Sequence, residues 1–289
     1  MPGTRGGPDD YGFEYADPAF VVEHNTLAGY VQHPTHLDLR PGCYTDGTQM
    51  SIAIAEALVS GEPWTPQRVA HRFVETFHRA RRVGYSGRFY ELLLHVEDGH
   101  DLLTRINPAS DKSGAAMRAG PIGLLSEVSD VLHYADVQAR ITHDTPDGIE
   151  AAQAAALAVH YCHYDVGPMA RIGNWIDERL RAAGGAGDWA RPWHGRVGPQ
   201  GRMSVRAALT ALTVGASLSD VLHTSVAYTG DVDTVATIAL AAASRSTRIT
   251  DDLPKSLLDG LENGPYGYTF LRNLDIRLQA TCGTSRSRG

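Results

Sequence analysis

The sequence predicts an all-α fold, and three observations carry that prediction. Apolar residues recur at helical spacing through most of the chain. No run of alternating strands joined by hairpin turns appears. Only 8% of the residues are aromatic, and alanine fills the apolar runs, which suits closely packed helices. With 289 residues and no composition shift to divide them, the chain reads as one domain of about ten helices.

The elements follow in order. Tyr44 to Leu58, YTDGTQMSIAIAEAL, is an oxygen-rich opening followed by a long apolar helix. Pro66 starts the next helix, with Val69, Phe73 and Phe77 on one face. GRFYELLLHVEDGHD carries His95, Glu97, Asp98 and His100 without metal-ligand spacing, and reads as a solvated helix end. Ser110 to Leu125, SDKSGAAMRAGPIGLL, is a Ser-Gly turn into a small-residue helix. Such a turn exposes amides that can bind phosphate, although small residues also serve close helix packing.

Thr145, Pro146 and Asp147 lead into a near-continuous apolar helix over 151–159, with Thr142 and His143 just before it. A histidine there reads either as a packing or capping residue or as a ligand. HYCHYD, from His160 to Asp165, lacks the matched ligands of a zinc site and reads as a helix end. Ile172, Ile176 and Leu180 mark one further helix face, and Val205, Leu209 and Leu212 another. Between them the Gly- and Pro-rich stretch from Ala182 to Gly201, with Trp189 and Trp193, reads as a surface connector or a substrate-facing flap.

Tyr228 to Ala243, YTGDVDTVATIALAAA, matches the opening of the Tyr44 segment. Its helix is apolar on every side and therefore buried. One capping side chain satisfies a helix start, yet two aspartates and a threonine stand at this one. Two carboxylates about 4 Å apart repel by roughly 4 kcal/mol at an effective dielectric near 20, more than a cap contributes. If the two helices meet at their N-termini, Thr45, Asp46, Thr48, Asp231, Asp233 and Thr234 face one point. An all-oxygen set without His or Cys suits a hard cation, Mg²⁺, Mn²⁺ or Ca²⁺. The alternative is two independently capped helices.

Composition narrows the partners. A net charge of −7 and a pI near 6.0 argue against a nucleic-acid backbone or an anionic membrane. Lys112 and Lys255 are the only lysines, so arginine carries almost all the positive charge. Cys43, Cys162 and Cys282 form no paired framework and suit a reducing cytoplasm. No window approaches 18 apolar residues, and the expectation is a soluble cytoplasmic protein.

Four segments in this order, TDGTQM, SGAAMRAGP, THDTP and GDVDTVATIA, resemble the ADP-ribosylglycohydrolase family, including its dinitrogenase-reductase-activating branch. DDLPKSLLDGLENGPYGYTFLRNLD resembles the family's closing helices. The resemblance covers residues 9–275, leaving 1–8 and 276–289 as expected flexible ends. It implies a single compact orthogonal helical domain that hydrolyses the glycosidic bond of ADP-ribosyl conjugates, protein-linked or small. It implies two divalent cations, usually Mg²⁺ with Mn²⁺ also possible, held by Thr45, Asp46, Asp231, Asp233 and Thr234. It places Ser113 and Gly114 near the pyrophosphate or ribose and His143 near the ribose or adenosine. The family's Gly-Asp-Ala-x-Gly motif followed by Glu appears as PDDYGFEY, about two residues shorter. Glu14 is the candidate for its acid, orienting or activating water, with Asp9 or Asp10 for its Asp. Asp46 and Asp233 complete the expected catalytic set.

One departure bears on activity. Gly47 stands where the family carries a second acid, so one cation loses a carboxylate. Three readings stay open on that ground: a glycohydrolase, a catalytically silent ADP-ribose-binding protein, and an N-ribosyl hydrolase acting on a small nucleotide or nucleoside.

Overall fold

The structure, a computed structural model, describes residues 13–37 and 39–282. Its helices are α1 (Pro18–His24), α2 (Asp46–Val59), α3 (Pro66–Arg79), α4 (Gly87–His95), α5 (Gly99–Arg105), α6 (Gly114–Met117) and α7 (Val128–Arg140). They continue with α8 (Pro146–His163), α9 (Ile172–Ala182), α10 (Gly201–Val214), α11 (Leu218–Ala227), α12 (Val232–Ala243), α13 (Lys255–Asp259) and α14 (Tyr268–Cys282). Among the described residues the only β-pairing is three isolated bridges. No helix there is long and apolar enough to cross a membrane.

Helix starts follow the capping chemistry. Thr65 Oγ1 accepts from the Arg68 amide at 3.3 Å, and Thr145 Oγ1 from the Gly148 amide at 3.1 Å, each ahead of a proline whose missing N–H costs nothing there. α8 is buried almost throughout and packs against α6, α7, α9, α10 and α12, which makes it the axis of the domain. Alanines along it let neighbours approach closely. A Cβ on Gly123, in the 3₁₀ turn Gly120–Leu124, would sit 2.4 Å from the Ala156 carbonyl oxygen, so this contact admits only glycine.

The expected boundary at residue 275 falls inside α14. That helix continues to Cys282 because Leu274 and Leu278, one turn apart, are both buried in the core. Residues 1–8 and 283–289 of the expected ends, and the Asp9 and Asp10 alternatives, lie outside the described residues.

Candidate active site

α2 and α12 both begin where the aspartate-rich openings end, and neither uses its acid as a cap. Thr45, the N-cap of α2, and Asp231, the N-cap of α12, make no side-chain capping hydrogen bond. The polar side chains at these two mouths are held by other interactions instead. They open on one cavity of about 560 Å³, lined by Glu14, Asp46, Ser113, Gly114, His143, Asp231, Asp233 and Thr234. Thr45 and Thr48 are not on its lining, and Thr45 is buried behind Asp46 against Gly84.

Three carboxylates converge. Glu14, Asp231 and Asp233 each bring an oxygen within 4.8 Å of the others. Glu14 is 6% exposed and Asp231 is 5% exposed. Asp231 Oδ1 accepts from Thr234 Oγ1 at 3.2 Å and Oδ2 from Ser204 Oγ at 3.3 Å. Burial raises the Asp231 pKa, while hydrogen bonds to Asp233, Ser113, Thr234 and Ser204 pull it down. Clustered buried carboxylates of this kind are costly unless a positive charge joins them, and an all-oxygen donor set fits a hard divalent cation.

Asp46 lines the same cavity and is not one of this trio. The reason is local. The Asp46 amide donates to the Val83 carbonyl at 3.0 Å, and Oδ1 lies against Gly84, where an added Cβ would be only 2.2 Å away. Gly84 has φ +101°, so both its backbone and its missing side chain make room for Asp46. Gly47 lies buried in the first turn of α2, and its carbonyl accepts from Ser51 Oγ at 2.9 Å.

The Ala182–Gly201 segment is exposed over most of its length, as a surface connector is, but it is anchored in the interior at Trp189 and Val197. Trp189 is 1% exposed, and its indole N–H donates to Glu150 at 2.9 Å. Glu150 also accepts from the amides of Ala186 and Gly187, which with the indole N–H and Arg202 hold its carboxyl below the usual range against the effect of burial. So pinned, the segment ties the site together through backbone bonds. The Asp231 amide donates to the Val197 carbonyl (3.2 Å), the Val197 amide to the Thr229 carbonyl (3.0 Å), and the Ser113 amide to the Pro199 carbonyl (3.0 Å). The Ser113 amide is thus committed to Pro199 and is not one that a phosphate could use, although Ser113 and Gly114 both line the cavity. Glu14 joins the same brace, because the Tyr15 amide donates to the Gly230 carbonyl at 2.8 Å. His33 Nε2 donates to the Glu14 carbonyl, also at 2.8 Å.

His143 closes the other side of the cavity. Its ring lies over Gly114, where an added Cβ would meet Cε1 at 3.0 Å. Burial first, then the positive charges of Arg118 and Lys112, pulls its pKa down to about 3, so the imidazole is neutral at ordinary pH. The outer wall is of a different character, with apolar Phe89, Leu92 and Ile106 beside Arg88, Arg105 and Lys112. The cavity therefore runs from an acidic floor to a mixed apolar and basic mouth, a polarity suited to a ligand with anionic groups at one end and hydroxyls at the other.

Sequence reasoning did not find Tyr15, Gly84, Tyr85, Arg88, Phe89 or Arg118, all of which line the cavity. Arg118 was visible only as the end of the Ala-Met-Arg motif, and the others carry no local signal.

A compact helical domain thus carries three converging carboxylates in one cavity, a group that could hold a metal ion. The chain belongs to the ADP-ribosylglycohydrolase family, whose sequence profile matches residues 10–286. It is similar to an uncharacterized protein of Archaeoglobus fulgidus, 35% identical over 128 residues that make up 42% of this chain and 40% of that protein. It is also similar to the ADP-ribosylhydrolase ARH3 of Mus musculus, 31% identical over 49% of this chain and 44% of that protein, and of Homo sapiens, 29% identical over 49% and 45%. These matches span less than half the length of the curated relatives. A solved structure described as an ADP-ribosylglycohydrolase-related protein complex superimposes with a TM-score of 0.70 at 18% identity, covering 97% of this chain and 94% of that one, and shows the same fold.

Proposed function

We propose that this cavity hydrolyses the glycosidic bond between an ADP-ribosyl group and its acceptor. The observation that carries the proposal is the convergence of Glu14, Asp231 and Asp233 within 4.8 Å at the cavity floor. Asp231, Asp233 and Thr234, with Glu14, are the residues to hold a divalent cation, Mg²⁺ or Mn²⁺; Asp46 and Thr45 belong to the neighbouring α2 side. A cation held there would supply polarisation of a water and orientation of the ribose hydroxyls.

The chain's own residues supply the rest. Glu14, fixed through Tyr15 and Gly230, accepts a proton from the attacking water. The water oxygen bonds to the anomeric carbon, and the bond to the acceptor breaks with its electron pair leaving on the acceptor. That group then takes up the proton. The oxocarbenium-like transition state carries positive charge, and Asp46, Asp231 and Asp233 place negative charge beside it. Ser113, Gly114 and His143 form the side on which the ribose or pyrophosphate rests, and the basic mouth with Arg88 and Lys112 favours the anionic diphosphate.

One rival keeps a specific basis. Gly47 removes a carboxylate from the α2 side, and Asp46 stands apart from the trio, which favours a protein that binds ADP-ribose with little or no turnover. Product analysis with arginine-, serine- and small-molecule-linked ADP-ribosyl conjugates, with and without added Mg²⁺ or Mn²⁺, separates the two. Metal-dependent release of ADP-ribose is expected, and Asp233→Ala should lose both that release and calorimetric cation binding. Cation binding unchanged in Asp233→Ala would overturn the assignment of the floor, and tight ADP-ribose binding without release would establish the rival.

A further inference from the structure

Behind His143 lies a chain of buried hydrogen bonds whose direction is set by one residue. Arg118 is 2% exposed, lies over the Phe73 ring at 4.6 Å, and carries five N–H donors and no acceptor. Its Nε donates to Gln138 Oε1 at 2.6 Å, which leaves the Gln138 amide nitrogen to donate to the Ala115 carbonyl at 3.0 Å. Its Nη2 donates to the Gln138 carbonyl at 3.0 Å and to Thr142 Oγ1 at 2.7 Å. The Thr142 hydroxyl is an acceptor toward Arg118 and keeps a single proton of its own. Among the described residues, the one acceptor hydrogen-bonded to that hydroxyl is His143 Nδ1, 2.6 Å away. A neutral imidazole that accepts at Nδ1 carries its proton on Nε2. Nε2 makes no hydrogen bond to another described residue, and His143, 8% exposed, lines the cavity over Gly114.

We infer that Arg118 and Thr142 are positioning residues that lock His143 as an Nε2–H donor aimed into the cavity, ready for an oxygen acceptor on the ligand. The ligand chemistry named by this arrangement is a phosphate or ribose oxygen, and a group offering only N–H donors has nothing to bond there. That the oxygen belongs to ADP-ribose rests on the function proposed above; the tautomer does not. Neutral His143 suits the role, since an imidazolium beside the buried Arg118 guanidinium would place two positive charges in one desolvated pocket.

The test is nitrogen-15 NMR of the histidine rings in the full chain, with His143 identified from the His143→Gln spectrum. The expected wild-type pattern is a protonated Nε2 and a bare Nδ1, before any ligand is added. Thr142→Val removes the donated proton and should give a mixture of tautomers, with ADP-ribose bound about tenfold more weakly, the worth of one lost hydrogen bond. Thr142→Ser, which keeps the hydroxyl, should restore both. A wild-type ring protonated at Nδ1 overturns the inference whether or not the variants fold. So does a folded Thr142→Val protein with the wild-type tautomer and affinity. If the wild-type tautomer is as expected but ADP-ribose does not bind, the functional reading fails and the positioning role stands.

Discussion

Gly230→Ala tests whether the Ala182–Gly201 segment holds the acidic floor together. Gly230 has φ +90°, and an added Cβ would lie 1.9 Å from the Val197 carbonyl oxygen. The left-handed backbone costs an L-residue about 1–2 kcal/mol. Relieving the clash means moving Val197 away, which breaks its bonds to the Thr229 carbonyl and the Asp231 amide, each worth about 1 kcal/mol. The sum is about 3–4 kcal/mol, a large share of a typical domain's 5–15 kcal/mol. The clean control is Gly61→Ala, where φ is +68° but nothing lies within 4 Å of the added carbon. That variant carries the backbone cost alone, about 1–2 kcal/mol. Urea denaturation of both, with Mn²⁺ titrated calorimetrically into each folded protein, gives the two readouts. Gly230→Ala should lose roughly 2 kcal/mol more than the control and bind Mn²⁺ at least tenfold more weakly, because Asp231 and, through Tyr15, Glu14 both move. Equal destabilisation of the two variants with unchanged Mn²⁺ affinity would refute the brace.

Two more outcomes follow from the site. Gly47→Asp should raise the cation stoichiometry toward two and increase turnover on ADP-ribosyl-arginine; a wild-type protein that already holds two cations tightly, with the variant changing neither quantity, would remove the main support for the binding-only reading. His143, with a folded pKa of about 3 against about 6.5 unfolded, should show no titration between pH 8 and 5 by NMR. Because the unfolded chain takes up the proton that the folded one refuses, this residue should make stability fall as pH drops from about 6.5 toward 3, and leave it unaffected above that range. His143→Gln should flatten that slope, and an equal slope in the variant would contradict the assignment.

The helices were legible because their signals are local. Pro66 and Pro146 start their helices as expected, each after a threonine that caps it, and the all-round apolarity of 151–159 and 235–243 reports burial directly. Eight of the residues expected at the site line one cavity, since their motifs stand at helix mouths and a helix places its first turn predictably. What stayed illegible depends on pairings distant in sequence. The role of the Ala182–Gly201 segment is set by Glu150, 39 residues before Trp189. Its Gly and Pro content described a surface connector and carried no sign of the indole buried within it. Arg118 reads as surface by residue type and is enclosed because Phe73, Gln138 and Thr142 come together around it.

The acidic residues show most clearly where local reading stops. TDGTQM and GDVDTVATIA look alike as sequences, and likeness suggests that the two mouths contribute equally to one cation site. The fold treats them differently. The Asp231–Asp233 turn is stitched to Val197 and to the N-terminal segment, so Glu14 is delivered to it across more than 200 residues of sequence. Asp46 is instead held against Gly84 by its own amide, on the side of the cavity where the buried Arg118 contributes positive charge. A carboxylate within reach of a buried guanidinium's charge needs a second cation less than one inside a carboxylate trio does. Gly47 acts in the same direction, because it removes the other acid from the mouth that Arg118 already serves. The substitution of Gly47 therefore bears on the α2 mouth, and the Glu14–Asp231–Asp233 trio keeps all three of its carboxylates.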